Sequence, residues 1–197
     1  MILNIRGTSG SGKSYLVRRV LRCYTAGREI IRQAGRTQPL AYVYRHTNGS
    51  SLAVIGHYEQ ECGGCDTITD VRIVFGMVMQ YHSLGHNVLF EGLIVSSLVN
   101  QIVDIWDSTK ALLVISLNTP LEDCLDSVNR RREFKAPART NLFGVRVRQT
   151  EDVNPKNTTA KVKIVERAME RFSEAGVPCV WLSREQAYNR CKKELGL

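Results

Sequence analysis

The 197-residue sequence has no run of eighteen apolar residues, so no transmembrane helix is expected. The chain opens on a short apolar run with no basic stretch or cleavage motif before it, so no signal peptide is expected. A soluble protein with its six cysteines reduced in the cytoplasm is the expectation that follows. No second Cys-x-x-Cys accompanies Cys62 and Cys65, which leaves a tight Gly-Gly turn as the default for Cys62 to Asp66. There is no NKxD-type guanine motif, which argues against a switch GTPase. Acidic residues are also scarce beside basic ones, 19 against 27, for a net charge of +8.

The basic surplus is uneven. Arg18, Arg19, Arg22, Arg28, Arg32, Arg36 and Arg45 crowd the first quarter, with Glu29 the only acid among them. A second cluster holds Arg130, Arg131, Arg132, Lys135, Arg139, Arg146 and Arg148. Clusters of this kind favour polyanions, because each neutralised phosphate releases counterions. A hydrophobic content of 43% is enough for a sizeable core in one domain spanning 1–197.

The most informative stretch is Gly7-Thr8-Ser9-Gly10-Ser11-Gly12-Lys13-Ser14. It lies between the strand-like run Met1 to Ile5 and the helix-like Tyr15 to Leu21. Strand, GxxxxGKS and helix in this order form a phosphate-binding P-loop. Its glycines let the backbone curl closely around a phosphate, and its N–H groups form an anion nest at the helix start. Lys13 is suited to the β- and γ-phosphates and the Ser14 hydroxyl to Mg²⁺. A nucleoside triphosphate site is therefore expected over Gly7 to Ser14.

The remainder alternates between strands and helices. A helix is expected from Lys13 to Thr25, then a mixed stretch over 28–40. Asn48-Gly49 marks a hairpin between Ala41 to Arg45 and Ser51 to Ile55. Further helices are expected over about 69–84, 96–105, from Pro120, from Thr158 or Thr159 to Ala175, and over 184–195. Buried strands are expected at Asn87 to Phe90, Ala111 to Leu117 and Pro178 to Leu182. Residues 133–157 read as a mobile basic loop. Short buried strands between helices predict a parallel sheet covered on both faces.

Glu91 emerges at the carboxyl end of Val88-Leu89-Phe90, where open α/β sheets place their ligands. There it suits either a Mg²⁺ ligand or a base for an attacking hydroxyl. Asp66 competes for the base role, with capping of the next helix as its structural alternative. Asp70 fits better as a first-turn acid. Arg130, Arg131 and Arg132 precede the basic loop, and arginines closing over a triphosphate would stabilise charge on the transferred phosphoryl. Periodicity does not decide which of the three points inward. A compact chain with these parts fits a small kinase better than a motor or helicase.

The P-loop, Phe90-Glu91-Gly92, and Asn118-Thr119-Pro120 before an arginine-rich helix resemble the thymidylate-kinase-like P-loop kinases. Gly56-His57-Tyr58-Glu59 followed by Cys62-Gly63-Gly64-Cys65-Asp66-Thr67-Ile68 is similar to the bacteriophage 5-hydroxymethyluracil DNA kinases. The resemblance implies a three-layer α/β P-loop kinase fold, with a mostly parallel five-stranded sheet and a basic lid near 130–150. It also implies ATP and Mg²⁺ as cofactors. The acceptor it implies is the hydroxymethyl group of 5-hydroxymethyluracil within DNA, modified in host cytoplasm on the way to hypermodified thymidine that evades restriction. Cys62 to Asp66 stands where thymidylate kinases carry their monophosphate-reading motif, which argues against a free monophosphate acceptor. A small-molecule nucleoside or nucleotide kinase, a polynucleotide end kinase and an ATP-gated DNA-binding module are the alternatives.

Overall fold

The computed structural model describes residues 1–60, 63–92, 98–135, 139–140, 146–147 and 152–197. A seven-stranded sheet runs through the molecule in the order β2 (Gly27–Ile31), β3 (Ala41–Arg45), β4 (Ser51–Ile55), β5 (Asn87–Glu91), β1 (Ile2–Arg6), β6 (Leu112–Leu117) and β9 (Cys179–Leu182). Its centre is β1 (Ile2–Arg6), flanked in parallel by β5 (Asn87–Glu91) and β6 (Leu112–Leu117). Parallel pairing continues outward to β4 (Ser51–Ile55) on one side and β9 (Cys179–Leu182) on the other. These five parallel strands are the expected core. Two more, β2 (Gly27–Ile31) and β3 (Ala41–Arg45), extend it through antiparallel pairing, so the sheet has seven strands rather than five.

The two added strands differ in how clearly the sequence announces them. Ala41–Arg45 and Ser51–Ile55 form the hairpin that Asn48-Gly49 predicts, with Gly49 at φ 86°. By contrast β2 falls in the stretch expected to be mixed. It is an edge strand, its first three residues exposed and its last two half-buried, so it lacks the continuous apolar signature of the central strands.

Helices cover both faces. On one, α1 (Lys13–Leu21) and α6 (Arg184–Leu195) pack Leu16, Val17, Val20, Ala187 and Cys191 against Leu3, Ile5, Leu89 and Ile115. On the other, α2 (Val71–Ser83), α3 (Val99–Thr109) and α5 (Pro155–Glu174) pack Val74, Val78, Ile102, Val165 and Phe172 against Ile2, Val88, Phe90 and Val114. Complete burial of such aliphatic and aromatic side chains contributes about 1.5–3 kcal/mol each. The two faces alternate along β1, with Leu3 and Ile5 on one side and Ile2 on the other.

Several boundaries move for identifiable reasons. The first helix ends at Leu21, not Thr25, because Cys23 and Tyr24 bond back to Val20 and Leu21 and Tyr24 turns into the core. At α5 the cap is Asn154, whose side chain accepts from the Lys156 N–H, and Pro155 takes the first helical position, ahead of the expected Thr158. The loop expected over 133–157 is partly ordered: α4 (Leu121–Lys135) runs into it, and β7 (Arg139–Thr140) pairs with β8 (Arg146–Val147). The remainder of that stretch before Asp152 lies outside the described residues.

No helix among the described residues is long and apolar enough to cross a membrane.

Candidate functional site

The P-loop leaves β1 at Arg6 and enters α1 at Lys13. Gly7, Gly10 and Gly12 have φ of 143°, 84° and 98°, conformations that favour glycine. At Gly10 a side chain would also run into the Cys124 carbonyl of α4, so this helix is seated directly on the loop. The connection into α4 fastens it further, because the Thr119 hydroxyl donates to the Ser11 carbonyl at 2.9 Å. Thr8 Oγ1 and Ser11 Oγ are buried without a hydrogen-bond partner among the described residues, as expected of donors shaped around a polyanion.

Lys13 folds back over the loop, donating to the carbonyls of Gly7 at 2.9 Å and Thr8 at 3.0 Å. Ser14 donates to Glu91 Oε1 at 2.6 Å. This meeting follows from strand register, since Ile5 of β1 stands beside Glu91 of β5 and both strands end at the same edge. Glu91 is 1% exposed, and its burial raises the carboxyl above its ordinary value of 4.5, against the pull of Lys13 and Ser14. Burial also lowers the Lys13 ammonium below 10.5, opposed by Glu91 and Asp66. The fold thus holds two opposite charges out of water, an arrangement suited to a highly charged ligand.

Asp66 lies in a short 3-10 turn, Cys65–Thr67, that brings it beside the strand end. A side chain at Gly92 would sit 2.8 Å from Asp66 Oδ1, and one at Gly64 would strike the Glu91 carboxylate. Asp66 does not cap α2; Asp70 does, accepting from the Arg72 N–H at 2.9 Å. Cys65 is buried, its thiol donates to the Ile55 carbonyl at 3.4 Å, and burial holds it strongly protonated. Cys62 falls outside the described residues. His82 lies in the last turn of α2 and His86 beyond it, at the opposite end of the helix from the turn that holds Cys65. Among the described residues no cluster suited to a metal ion of the His, Cys and carboxylate type occurs.

One cleft of about 370 Å³ gathers these parts. Ser9, Gly10, Gly12, Lys13, Ser14, Asp66, Glu91, Arg130 and Arg131 all line it, and Arg132 is not among its lining residues. Arg131 Nε bonds to the Ser127 carbonyl one turn earlier at 3.2 Å. The cleft also contains Tyr15, Ser127 and Arg184, which no motif marks, with Arg18 of the first basic cluster and Gly63 of the Cys62 to Asp66 stretch. Arg184 has a recoverable signal, since it follows β9 at the carboxyl edge of the sheet where ligands bind. Its side chain packs across Gly12 closely enough that a Cβ there would meet it at 2.8 Å.

A P-loop on a parallel sheet, a buried carboxylate beside the Ser14 hydroxyl, and arginines facing the same cleft define a P-loop phosphotransferase. The chain is 41% identical over 194 residues to a 5-hmdU DNA kinase of Pseudomonas phage PaMx11, covering 98% of this chain and 96% of that one. It is 29% identical over 140 residues to 5-hmdU DNA kinase 1 of Salmonella phage ViI, covering 64% and 57% of the two chains. This chain belongs to the 5-hmdU DNA kinase family. No family model matches it. Among solved structures, a deoxyadenosine kinase from M. mycoides with bound dATP aligns over 100% of both chains with 14% identity and a TM-score of 0.41.

Proposed function

We propose that this protein transfers the γ-phosphoryl group of ATP to the hydroxymethyl group of 5-hydroxymethyluracil within DNA, in the cytoplasm of an infected host. The observation that carries this reading is the end-to-end similarity to a 5-hmdU DNA kinase, 41% identical over 194 residues. The cleft supplies the parts that such a reaction needs.

The P-loop backbone from Gly7 to Gly12 cradles the triphosphate, and Lys13 turns from its two carbonyl partners toward the β- and γ-phosphates. The donor set of Ser14 hydroxyl and Glu91 carboxylate consists of hard oxygens and fits Mg²⁺. Held there, the ion would neutralise charge between the β- and γ-phosphates. With Glu91 committed to that side by Ser14, Asp66 is the group for the acceptor hydroxyl. The hydroxyl oxygen attacks the γ-phosphorus, forming an O–P bond as the bond to the bridging oxygen breaks. The proton passes to Asp66, and ADP leaves with the bridging electron pair. Arg130 and Arg131, in the last turns of α4, stabilise negative charge spread over the transferred oxygens; the remainder of the lid expected near 130–150 lies largely outside the described residues.

The C5 substituent of the base projects into the major groove. A recessed phosphate site requires more than groove access, so the base leaves its stack to reach it. The test is to digest the labelled DNA product to nucleotides with nuclease alone, without phosphatase, after phosphoryl transfer. A phosphate on the C5 methylene carbon is expected; label confined to 5′ termini would identify an end kinase and contradict this reading.

A further inference from the structure

Three arginines from three separate elements converge on the segment that carries Asp66. Arg18, from α1, donates to the Gln60 carbonyl at 2.8 Å. From the edge strand β2, Arg28 reaches Glu59 at 3.6 Å and stands over the Tyr42 ring at 5.5 Å. The connection between β2 and β3 contributes Arg36, which bonds to the Gln38 carbonyl at 2.9 Å and to the Thr67 carbonyl beside Asp66.

Arg18 lines the triphosphate cleft, whereas Arg28 and Arg36 are not among its lining residues. Phosphates cradled by the P-loop therefore leave these two guanidiniums unaccounted for. Their side chains nonetheless hold to the rim on which the acceptor must arrive. Arg28 is 43% exposed, and its carboxylate partner among the described residues, Glu59, is 41% exposed and only loosely engaged. Such a pair exchanges readily for a stronger anion. Guanidinium groups present several donors in a fixed fork suited to phosphate oxygens. At the edge of the sheet β2 leaves its first three residues exposed, Arg28 among them.

We propose that Arg18, Arg28 and Arg36 form a rail for backbone phosphates of the acceptor DNA strand, positioning the displaced base over Asp66. This inference rests on the reading of DNA as the acceptor. The rail serves the polymer alone, because a free nucleoside has no flanking phosphates to place on it.

The test uses full-length Arg28→Gln and Arg36→Gln proteins, singly and combined, with Arg28→Lys and Arg36→Lys as charge-retaining controls. Affinity for a hydroxymethyluracil-containing oligonucleotide is measured by fluorescence anisotropy across a salt series, alongside KM for that DNA and for ATP. Each Gln variant is expected to reduce the slope of log K against log salt by about 0.7–0.9, the contribution of one phosphate contact. The double variant should raise KM for DNA by about tenfold or more while KM for ATP stays within about twofold, and Lys should restore most of the loss. Thermal melts establish that each variant is folded. Unchanged slope and KM for DNA in folded double variants, with normal transfer by the parent enzyme, would overturn the rail and leave the DNA kinase reading intact. Parent enzyme that labels free nucleoside and never polymer would overturn both.

Discussion

Ser14 Oγ donates a 2.6 Å hydrogen bond to Glu91 Oε1, tying the end of the P-loop to the end of β5 across 77 positions of sequence. The bond sets the hydroxyl and the carboxylate side by side at the carboxyl edge of the sheet. Glu91→Gln keeps the shape and a hydrogen-bond acceptor but removes the charge. Phosphoryl transfer is expected to fall by about 10²–10³-fold in single-turnover assays, the scale of losing one preorganised electrostatic group. The variant should still fold, as judged by thermal melting.

Protonation of this pair gives a second prediction. Burial raises Glu91 above 4.5, so its contribution to folding is greatest below about pH 4.5 and is lost as pH rises through the raised value. Lys13 is displaced the other way, its contribution being present above 10.5 and lost as pH falls through the lowered value. Burial therefore weighs against the ionised form of each group, and a charged ligand relieves that penalty. A cation beside Glu91 favours its ionised form, so loading with ATP and Mg²⁺ at mildly acidic pH should release protons from the parent protein. Calorimetry in buffers of different ionisation enthalpy measures that release. In Glu91→Gln the protein's share of it should vanish.

The three consecutive arginines of α4 should behave differently. Arg130 and Arg131 line the cleft, and Arg132 does not. Alanine at Arg130 or Arg131 is expected to lower kcat by about 10²-fold or more, because charge on the transferring phosphoryl loses a partner. Arg132→Ala should change kcat by less than about threefold. Equal losses at all three would mean that the cluster acts through bulk charge.

Gly64 couples the acceptor segment to Glu91. It has φ 76°, and a methyl group there would strike the Glu91 carboxylate. Gly64→Ala should destabilise the fold by about 1–3 kcal/mol from backbone strain alone. A larger proportional loss in transfer rate than in ATP affinity is also expected, since Asp66 moves with the segment. Denaturant unfolding and initial-rate kinetics separate the two effects.

What could be read before folding was local. Eight contiguous residues, Gly7 to Ser14, specify the P-loop, and apolar runs such as Val88-Leu89-Phe90 specify the five parallel strands. Glu91 was legible because a strand end in a parallel sheet is a predictable location. The edge strand Gly27–Ile31 was hidden by its exposed polar residues. Arg18, Arg184 and the choice of Arg130 and Arg131 over Arg132 depend on how α1, α6 and α4 dock around the loop. No spacing in the sequence encodes that docking. The assignment of Asp66 away from capping likewise waited on Asp70, which takes the cap with its own side chain.

The most direct measurement offers the enzyme labelled ATP with hydroxymethyluracil-containing DNA, the same DNA with thymine, and the free hydroxymethyl nucleoside and nucleotide. Label should enter the hydroxymethyluracil DNA, with thymine DNA blank and the free compounds labelled far more slowly. Efficient labelling of the free compounds with none in the polymer would contradict the assignment of DNA as the acceptor.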